Sequence, residues 1–354
     1  MEIESYSKRY ARWKRIVVIL ILLCVGFFTI SLSVGFMRIP TIHIIEILIR
    51  EIPFMERLIP NGSFSEIERT IILGIRLPRV LASFLIGLSL ASSGVVFQGI
   101  FRNPMADPFI IGVSSGAALG AALAIVLRAG IGTLGYYAIP VMAFLGSLLA
   151  LFITYNISKV GSIIPITTLL LSGIAVSIFF SSIVAMLEVI AGAELHPLVF
   201  WLMGGFSYIE WRDVSLAFPL ILLSGIMMYA FARDLNLMLL GDEEARHLGV
   251  SVEKTKKLLI LFASLATATS VSLSGIIGFV GLIVPHITRI LIGPDHRILI
   301  PASMLLGGIF LMICDALARI VMLPAELPVG IITALSGGPF FIYLLRKKKG
   351  SYAM

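Results

Sequence analysis

Few residues in this chain have the types and spacing that catalysis or metal binding requires. Residues 112–116 match the nucleophile motif G-x-S-x-G, but that motif needs a strand, a sharp turn and a partner histidine. Here the segment opens an apolar run, where small residues favour close helix packing. The histidines are scattered along the chain: His43, His196, His247, His286 and His296. Their spacing fits neither HxxxH nor HExxH, so we predict no catalytic residue and no metal site.

The composition excludes an ordinary water-soluble protein. Of 354 residues, 58% are hydrophobic and 13% are charged, and the mean hydropathy is +1.04. Soluble domains are only about 45–50% apolar. Cys24 and Cys314 lie within apolar segments, which argues against a disulfide framework or a zinc site. The net charge of +7 comes largely from basic residues beside apolar segments. This pattern is typical of cytoplasmic anchors in a lipid bilayer and not of a nucleic-acid-binding surface, so we expect no nucleic-acid partner.

Charge-free runs predict the number of membrane-spanning helices, because a helix needs about 20 apolar residues to cross the hydrocarbon core. The longest runs are 16–37, 80–101, 109–127, 129–158, 160–187, 214–232, 258–288, 298–314 and 327–345. The run 258–288 is too long for one helix and contains Gly281 and Pro285. We therefore expect two helices there, joined by a tight external turn near Pro285. The sequence predicts an all-α integral membrane protein with about ten transmembrane helices.

Basic clusters near both ends of the chain predict that both termini lie in the cytoplasm, as an even number of spans requires. Residues 1–15 and 347–354 would then be cytoplasmic segments, and 16–346 a single transmembrane domain. The two longest connections, 38–75 outside and 233–257 inside, are the natural places for soluble partners to dock.

An internal symmetry is hinted at by two short serine-rich segments. Residues 89–94 and 272–275 occupy similar depths in predicted spans of opposite direction, and a proline-containing turn follows each. An inverted repeat would produce this pattern, although coincidence between common membrane residues is an equal alternative.

Ionisable residues within predicted spans are costly and need an explanation. Asp315 and Arg319 stand one helical turn apart and can pair with each other. Glu326 follows close by. A carrier driven by protons or sodium would typically need acids near the membrane midplane, and apart from Asp315 the acids here lie in loops or near helix ends.

The inner connection 233–257 has the pattern of a short helix. Acidic residues at 242–244 precede basic ones, and Gly241 and Gly249 bound the segment. This order matches the helix dipole, with a turn after the helix. An ordinary solvated connection is the alternative.

Seven motifs follow one another along the chain: Arg76-Leu-Pro-Arg79, Gln98-Gly-Ile-Phe-Arg-Asn-Pro with Gly112-Val-Ser-Ser-Gly, Trp201-Leu-Met-Gly-Gly, Leu240-Gly-Asp-Glu-Glu-Ala, Gly278-Phe-Val-Gly-Leu, Asp295-His-Arg297 and Glu326-Leu-Pro-Val-Gly. Together they resemble the permease subunits of iron-chelate and vitamin B12 type II ABC importers. The resemblance runs from about residue 70 to 346. It does not identify the substrate, since relatives import siderophores, haem, cobalamin or molybdate.

The resemblance implies a complex in a prokaryotic inner membrane. Two permease copies, in the simplest arrangement identical, would form the pathway, two cytoplasmic ATPases would drive it, and an external binding protein would deliver the ligand. ATP and Mg²⁺ would bind the partner ATPase, and this chain would bind no cofactor. A secondary transporter driven by an ion gradient is the alternative.

The resemblance also assigns three sites. The ATPase-docking segment comprises Gly241, Asp242, Glu243, Glu244, Ala245, Arg246, His247, Leu248 and Gly249, with Asp242 where relatives often carry Glu. The residues that would grip the binding protein are Arg76, Arg79 and Arg319. The cytoplasmic gate would comprise Asn103, Met105, and Thr167 or Thr168. As alternatives, the arginines anchor their helices at the lipid headgroups with Arg319 serving Asp315, and Asn103 satisfies a turn.

Overall fold

A computed structural model of the chain describes residues 6–53, 64–128, 135–161 and 163–352. Its α-helices are α1 (Tyr6–Ser33), α2 (Thr41–Arg50), α3 (Glu66–Thr70), α4 (Leu77–Ile100), α5 (Val113–Val126), α6 (Ala138–Ser158), α7 (Ile166–Ile190), α8 (Leu195–Met203), α9 (Trp211–Ala230), α10 (Ala232–Met238), α11 (Asp242–His247), α12 (Val252–Ser274), α13 (Val280–Ile292), α14 (His296–Ala318) and α15 (Val329–Tyr352). A π-helical turn, Ile71–Arg76, joins α3 to α4.

Seven helical segments among the described residues are long and apolar enough to cross a membrane: Tyr10–Ser33, Glu66–Ile100, Gly135–Ser158, Ile166–Ile190, Trp211–Ala230, Val252–Ser274 and His296–Ala318. Three shorter apolar helices accompany them, Val113–Val126, Val280–Ile292 and Val329–Leu344. Each long segment reaches the length that the hydrocarbon core requires. The protein is therefore an all-helical, multi-pass membrane protein.

Helix α4 lies at the centre of the bundle and packs against α14, α12, α13 and α9. In the segment Glu66–Ile100, which includes α4, 83% of the most apolar stretch is buried inside the protein. In Tyr10–Ser33, which belongs to α1, the buried share is only 11%. Glycines permit the closest contacts: a Cβ at Gly87 would lie 2.2 Å from the carbonyl oxygen of Gly307, and one at Gly94 would lie 1.9 Å from that of Gly281. The backbones can meet there because neither residue has a side chain.

The order of helices is consistent with the inverted repeat that the sequence hints at. Both α4–α7 and α12–α15 run as a long helix, a short one and two long ones. Helices α4 and α12 are antiparallel, since Ser89 Oγ donates to the carbonyl of Ala266 and Ser93 Oγ to that of Ala263. Ser270 Oγ also donates to Ser89 Oγ at 2.9 Å. The first helices of the two groups therefore meet directly and run in opposite directions.

The expected turn near Pro285 is wrong. The break lies between α12 and α13, where Gly275 and Phe279 have left-handed φ values of 67° and 69°, and Pro285 lies inside α13. A proline within a helix lacks the N–H that would bond to the carbonyl four residues earlier, here that of Gly281. Gln98 Nε2 of α4 lies 3.4 Å from this oxygen and satisfies it, which lets the helix continue.

The second membrane segment begins earlier than the predicted boundary at residue 80. A continuous helical stretch starts at Glu66, where Ser65 accepts from the backbone N–H of Glu68 and completes a capping box. The stretch 38–75, predicted to be external, therefore contains helix α2 and the start of this segment. Residues 54–63 of that stretch lie outside the described residues, as do 1–5 and 353–354 of the predicted cytoplasmic segments.

Candidate docking and gating sites

The three predicted docking arginines gather at the end of the bundle that was predicted to face outward. Arg76 lies on the π-helical turn, and its guanidinium donates to the backbone carbonyls that end α1. Its Nη1 lies 2.7 Å from the oxygen of Leu32 and 3.2 Å from that of Ser33, and its Nη2 donates to Met37 O. Arg76 thus fills the role of a C-terminal cap, since the last carbonyls of a helix have no intrahelical partner.

Arg79 and Arg319 share a buried carboxylate. Arg79 Nε lies 2.9 Å from Asp315 Oδ1, and its Nη1 lies 2.8 Å from Glu326 Oε2. Arg319 Nη2 lies 3.2 Å from Asp315 Oδ2 and also donates to the backbone oxygen of Ser31 at 2.9 Å. The cluster therefore ties α1, α4 and α14 together.

As the structure places them, the predicted docking arginines are occupied within their own chain. Arg76 and Arg79 are each 6% exposed and Arg319 is 4% exposed. The pairing of Arg319 with Asp315, named above as part of the alternative, is present. A contact between these side chains and a binding protein would require rearrangement, so their docking role stays a prediction.

The predicted short inner helix is present as α11, with acidic residues in its first turn and basic ones in its last. This order places negative charge beside the positive end of the helix dipole. The two glycines mark its ends: Gly241 precedes the helix with φ of 143°, and Gly249 follows with a left-handed φ of 87°. An L-residue rarely adopts either conformation, which explains glycine at both positions.

Helix α11 presents two different faces. Ala245 is fully buried against its own chain, in a cluster with Met238, Val250 and Val252. The exposed residues of the segment are Glu243, Glu244, Arg246, His247, Leu248 and Gly249. Of the predicted docking residues, this second set is accessible to a partner.

Asp242, at the start of α11, points back into the protein. Its Oδ2 accepts from Lys256 Nζ and its Oδ1 from Arg102 Nη2. Partial burial acts to raise the pKa of the Asp242 carboxyl, but the hydrogen bond and charge of Lys256, together with Arg102, outweigh it and hold the pKa below its ordinary value. The carboxylate is therefore ionised at neutral pH and bridges two cations.

Glu253, in the first turn of α12, makes a second bridge. Its Oε2 accepts from the backbone N–H of Ile164 at 3.2 Å, and its Oε1 lies 3.3 Å from Arg246 Nη2. Ile164 lies just before Pro165, the residue that precedes α7. Glu253 thus connects the α11–α12 region to the connection between α6 and α7.

The predicted gate residues lie at two helix ends. Asn103 follows α4, and its Oδ1 accepts from the backbone N–H of Met105 at 3.0 Å, the turn role named above as its alternative. Thr167, which is exposed, and Thr168, which is half-buried, lie in the first turn of α7. The gate therefore also stays a prediction.

Sequence reasoning missed Arg102 and Glu253, the partners that join these sites. Arg102 precedes Asn103 within a recognised motif, and its left-handed φ of 49° is unusual for a residue with a side chain. The motif was therefore an available signal for Arg102, whereas the position of Glu253 beside Ile164 follows only from the fold. Within the described ranges, no three His, Cys, Asp or Glu side chains gather as metal ligands would.

Comparisons with known proteins agree on one family. Residues 19–347 match the FecCD transport family. The cobalamin import system permease protein BtuC of Halobacterium salinarum is 48% identical over 284 residues, covering 80% of this chain and 75% of the relative. The hemin transport system permease protein HmuU of Yersinia pestis is 42% identical over 295 residues, covering 83% of this chain and 88% of the relative.

A solved structure shows the same fold. It is an inward-facing conformation of a transporter assigned to the metal-chelate ABC type, with a TM-score of 0.81 and 34% sequence identity. The match covers 94% of this chain and 99% of the solved one. The chain belongs to the FecCD transport family and is a permease of the type II ABC importer class.

Proposed function

We propose that this chain is the membrane-spanning subunit of an ATP-driven importer that takes up an iron chelate, such as a siderophore or haem, or cobalamin. The observation that carries the proposal is the family match over residues 19–347, together with relatives named for cobalamin and hemin transport. The seven long and three shorter apolar helices support ten membrane crossings, which would put both termini in the cytoplasm of a prokaryote.

The proposed complex contains two copies of this chain, two cytoplasmic ATPases and an external binding protein. A homodimer is the simplest closed arrangement for a permease pair. ATP and Mg²⁺ bind the ATPase, and this chain has a transport role without catalysis.

The exposed face of α11 is the proposed contact with the ATPase. Glu243, Glu244 and His247 offer charge and hydrogen bonds, and Leu248, which is 56% exposed, offers an apolar anchor. Apolar anchors within a polar surround are typical of protein interfaces. Asn103 and Met105, with Thr167 or Thr168, form the proposed cytoplasmic gate between the two permease copies.

The outer arginines serve the binding protein indirectly in this proposal. Arg76, Arg79 and Arg319 hold the ends of α1, α4 and α14 in fixed positions. These helix ends form part of the surface on which a binding protein would rest, and a rigid surface loses less freedom on binding.

The test is transport by the reconstituted complex. The permease is purified with its ATPase, placed in liposomes and supplied with its binding protein loaded with cobalamin, haemin or a ferric siderophore. We expect one ligand to be taken up only with ATP and to stimulate ATP hydrolysis. Uptake by the permease alone, driven by a proton or sodium gradient, would instead establish a secondary transporter.

A further inference from the structure

Two half-buried carboxylates join the α11–α12 region to the residues proposed as the gate. Asp242 contacts Arg102, the residue directly before Asn103. Glu253 contacts the backbone of Ile164, three residues before Thr167. Each side of the proposed gate is therefore linked to the α11–α12 region by one acidic side chain.

The link through Asp242 is firm because several contacts hold it. Besides its bond to Asp242, Arg102 donates from Nε to the backbone oxygen of Met238 at 2.9 Å. Lys256, whose side chain is 5% exposed, binds the other carboxylate oxygen. Charge-assisted hydrogen bonds of this kind are shorter and stronger than neutral ones. A displacement of α11 would therefore move Arg102, and with it the backbone that leads into Asn103.

The link through Glu253 acts on the other side. Its Oε2 accepts from the N–H of Ile164 at the start of the segment that enters α7, while its Oε1 faces Arg246 of α11 at 3.3 Å. Because Glu253 accepts from a backbone N–H, this hydrogen bond does not depend on the identity of the Ile164 side chain. A rotation of α11 would pull on Glu253 through Arg246 and shift the first turn of α7.

We propose that Asp242 and Glu253 are positioning residues that transmit movements of α11 to the two sides of the cytoplasmic gate. This inference rests on the proposed function, in which an ATPase moves α11 during its cycle. Hydrogen-bond and salt-bridge networks can carry energetic coupling between two sites, and the two carboxylates supply one such connection on each side.

The experiment measures gate accessibility and needs no transported ligand. Cys24 and Cys314 are replaced by alanine, and Thr167→Cys is introduced as a reporter on the first turn of α7. The complex with its ATPase is reconstituted, and maleimide labelling of the reporter is compared with and without ATP. We expect the labelling rate to depend on nucleotide in this parent.

The variants Asp242→Asn and Glu253→Ala each remove one link. We expect either change to reduce the ATP-dependent difference in labelling by about 5-fold or more, the lower range of typical allosteric couplings. For Glu253→Ala, which lies outside the predicted docking segment, the amount of bound ATPase and its rate of ATP hydrolysis should stay at the parental level, and both quantities are also measured for Asp242→Asn. A defect in folding or assembly would lower these two quantities as well.

Conservative variants separate positioning from mere size or charge. Asp242→Glu keeps the anionic partner of Arg102, and Glu253→Asp keeps a carboxylate with two oxygens that can accept from Ile164 and Arg246. We expect both to retain the nucleotide response. Lys159→Gln, an exposed cation removed from the α6–α7 connection, is the matched control and should behave as the parent.

The possible outcomes distinguish failure of this inference from failure of the proposed function. If Asp242→Asn and Glu253→Ala respond to ATP as the parent does, the transmission role is wrong while the importer proposal stands. If either variant loses its ATPase, that residue acts in docking and the inference is overturned for it. If the parent itself binds no ABC ATPase, the proposed function fails and this inference fails with it.

Discussion

Arg79 and Asp315 lie 236 positions apart in the chain and form an ion pair at 2.9 Å in which the carboxylate is fully buried. The pair joins the start of α4 to the end of α14, the two helices in most extensive contact. Charge is costly to bury, and the arrangement is stable only because each group has several partners. Asp315 also faces Arg319, and Arg79 also binds Glu326.

The first prediction concerns this pair. Asp315→Leu removes the shared carboxylate and leaves Arg79 and Arg319 buried without their main counter-ion. We expect the variant to lose about 3–5 kcal/mol of stability, because an uncompensated buried charge is the costly outcome. The measurement is the unfolding of the detergent-solubilised protein as the temperature or the denaturant concentration is raised.

The matched control is an exposed ion pair. Arg128 Nε lies 2.8 Å from Glu194 Oε1, and the Arg128 side chain is 59% exposed. Glu194→Gln should cost only about 0–1 kcal/mol. Equal losses in Asp315→Leu and Glu194→Gln would mean that the buried cluster does not hold α4 and α14 together.

The second prediction concerns the glycine contact between α4 and α13. Gly94→Ala places a methyl group 1.9 Å from the carbonyl oxygen of Gly281, so the helices must separate. We expect a loss of about 1–3 kcal/mol, as in other overpacked sites. Gly26→Ala in α1 is the control, since a Cβ there meets nothing within 4 Å. A stable, monodisperse Gly94→Ala protein with the parental melting temperature would contradict the close approach.

The apolar runs were enough to predict an all-helical membrane protein, because hydrophobic length is a local property of the sequence. The break between α12 and α13 was not predictable in this way. Pro285 suggested a turn, but Gln98, 183 positions from Gly281, satisfies the carbonyl that the proline leaves without a partner. Local sequence rules predict which backbone hydrogen bond a proline removes. They do not predict that a side chain from a distant helix will bind the free carbonyl.

The same limit applies to the candidate sites. The segment around α11 was predicted correctly as a short helix between glycines, since its charge order and its glycines are local signals. The burial of Arg76 was missed because its partners are backbone carbonyls at the end of α1. Every residue has such a carbonyl, so the residue types there give no signal of the contact. For the same reason the sequence pattern could not distinguish the buried Ala245 from its exposed neighbours.

The third prediction concerns pH and Asp295, which caps α14. Burial acts to raise the pKa of this carboxyl, but hydrogen bonds from Arg297 and Asn236 outweigh it and lower the pKa from 3.8 to about 2. A lowered pKa in the folded protein gives stability that is complete above pH 4 and is lost as the pH falls towards 2.

Asp295→Asn tests this dependence because asparagine can still cap the helix but does not titrate. The parent should lose stability between about pH 4 and pH 2. The variant should be less stable than the parent at pH 6 and should show a smaller decrease across the acid range. Melting temperatures at a series of pH values provide the measurement, and parallel curves for the two proteins would exclude the contribution of Asp295.

The last prediction concerns the exposed face of α11. Leu248→Asp places a charge on the apolar residue that would be buried against the ATPase, and a charge buried without a partner costs binding energy. We expect the affinity for the ATPase to fall about tenfold or more, equivalent to about 1.4 kcal/mol. The measurement is a binding titration of the purified ATPase with the permease in nanodiscs.

Two further variants make the docking surface specific. Val160→Asp adds the same charge to an exposed residue of the α6–α7 connection and should leave the affinity unchanged, because the proposed interface lies on α11. Ala245→Arg should lower the stability of the permease itself, since this side chain packs against Met238, Val250 and Val252 rather than facing a partner. If Val160→Asp weakens ATPase binding while Leu248→Asp does not, the contact belongs to the α6–α7 connection and the role assigned to α11 is wrong.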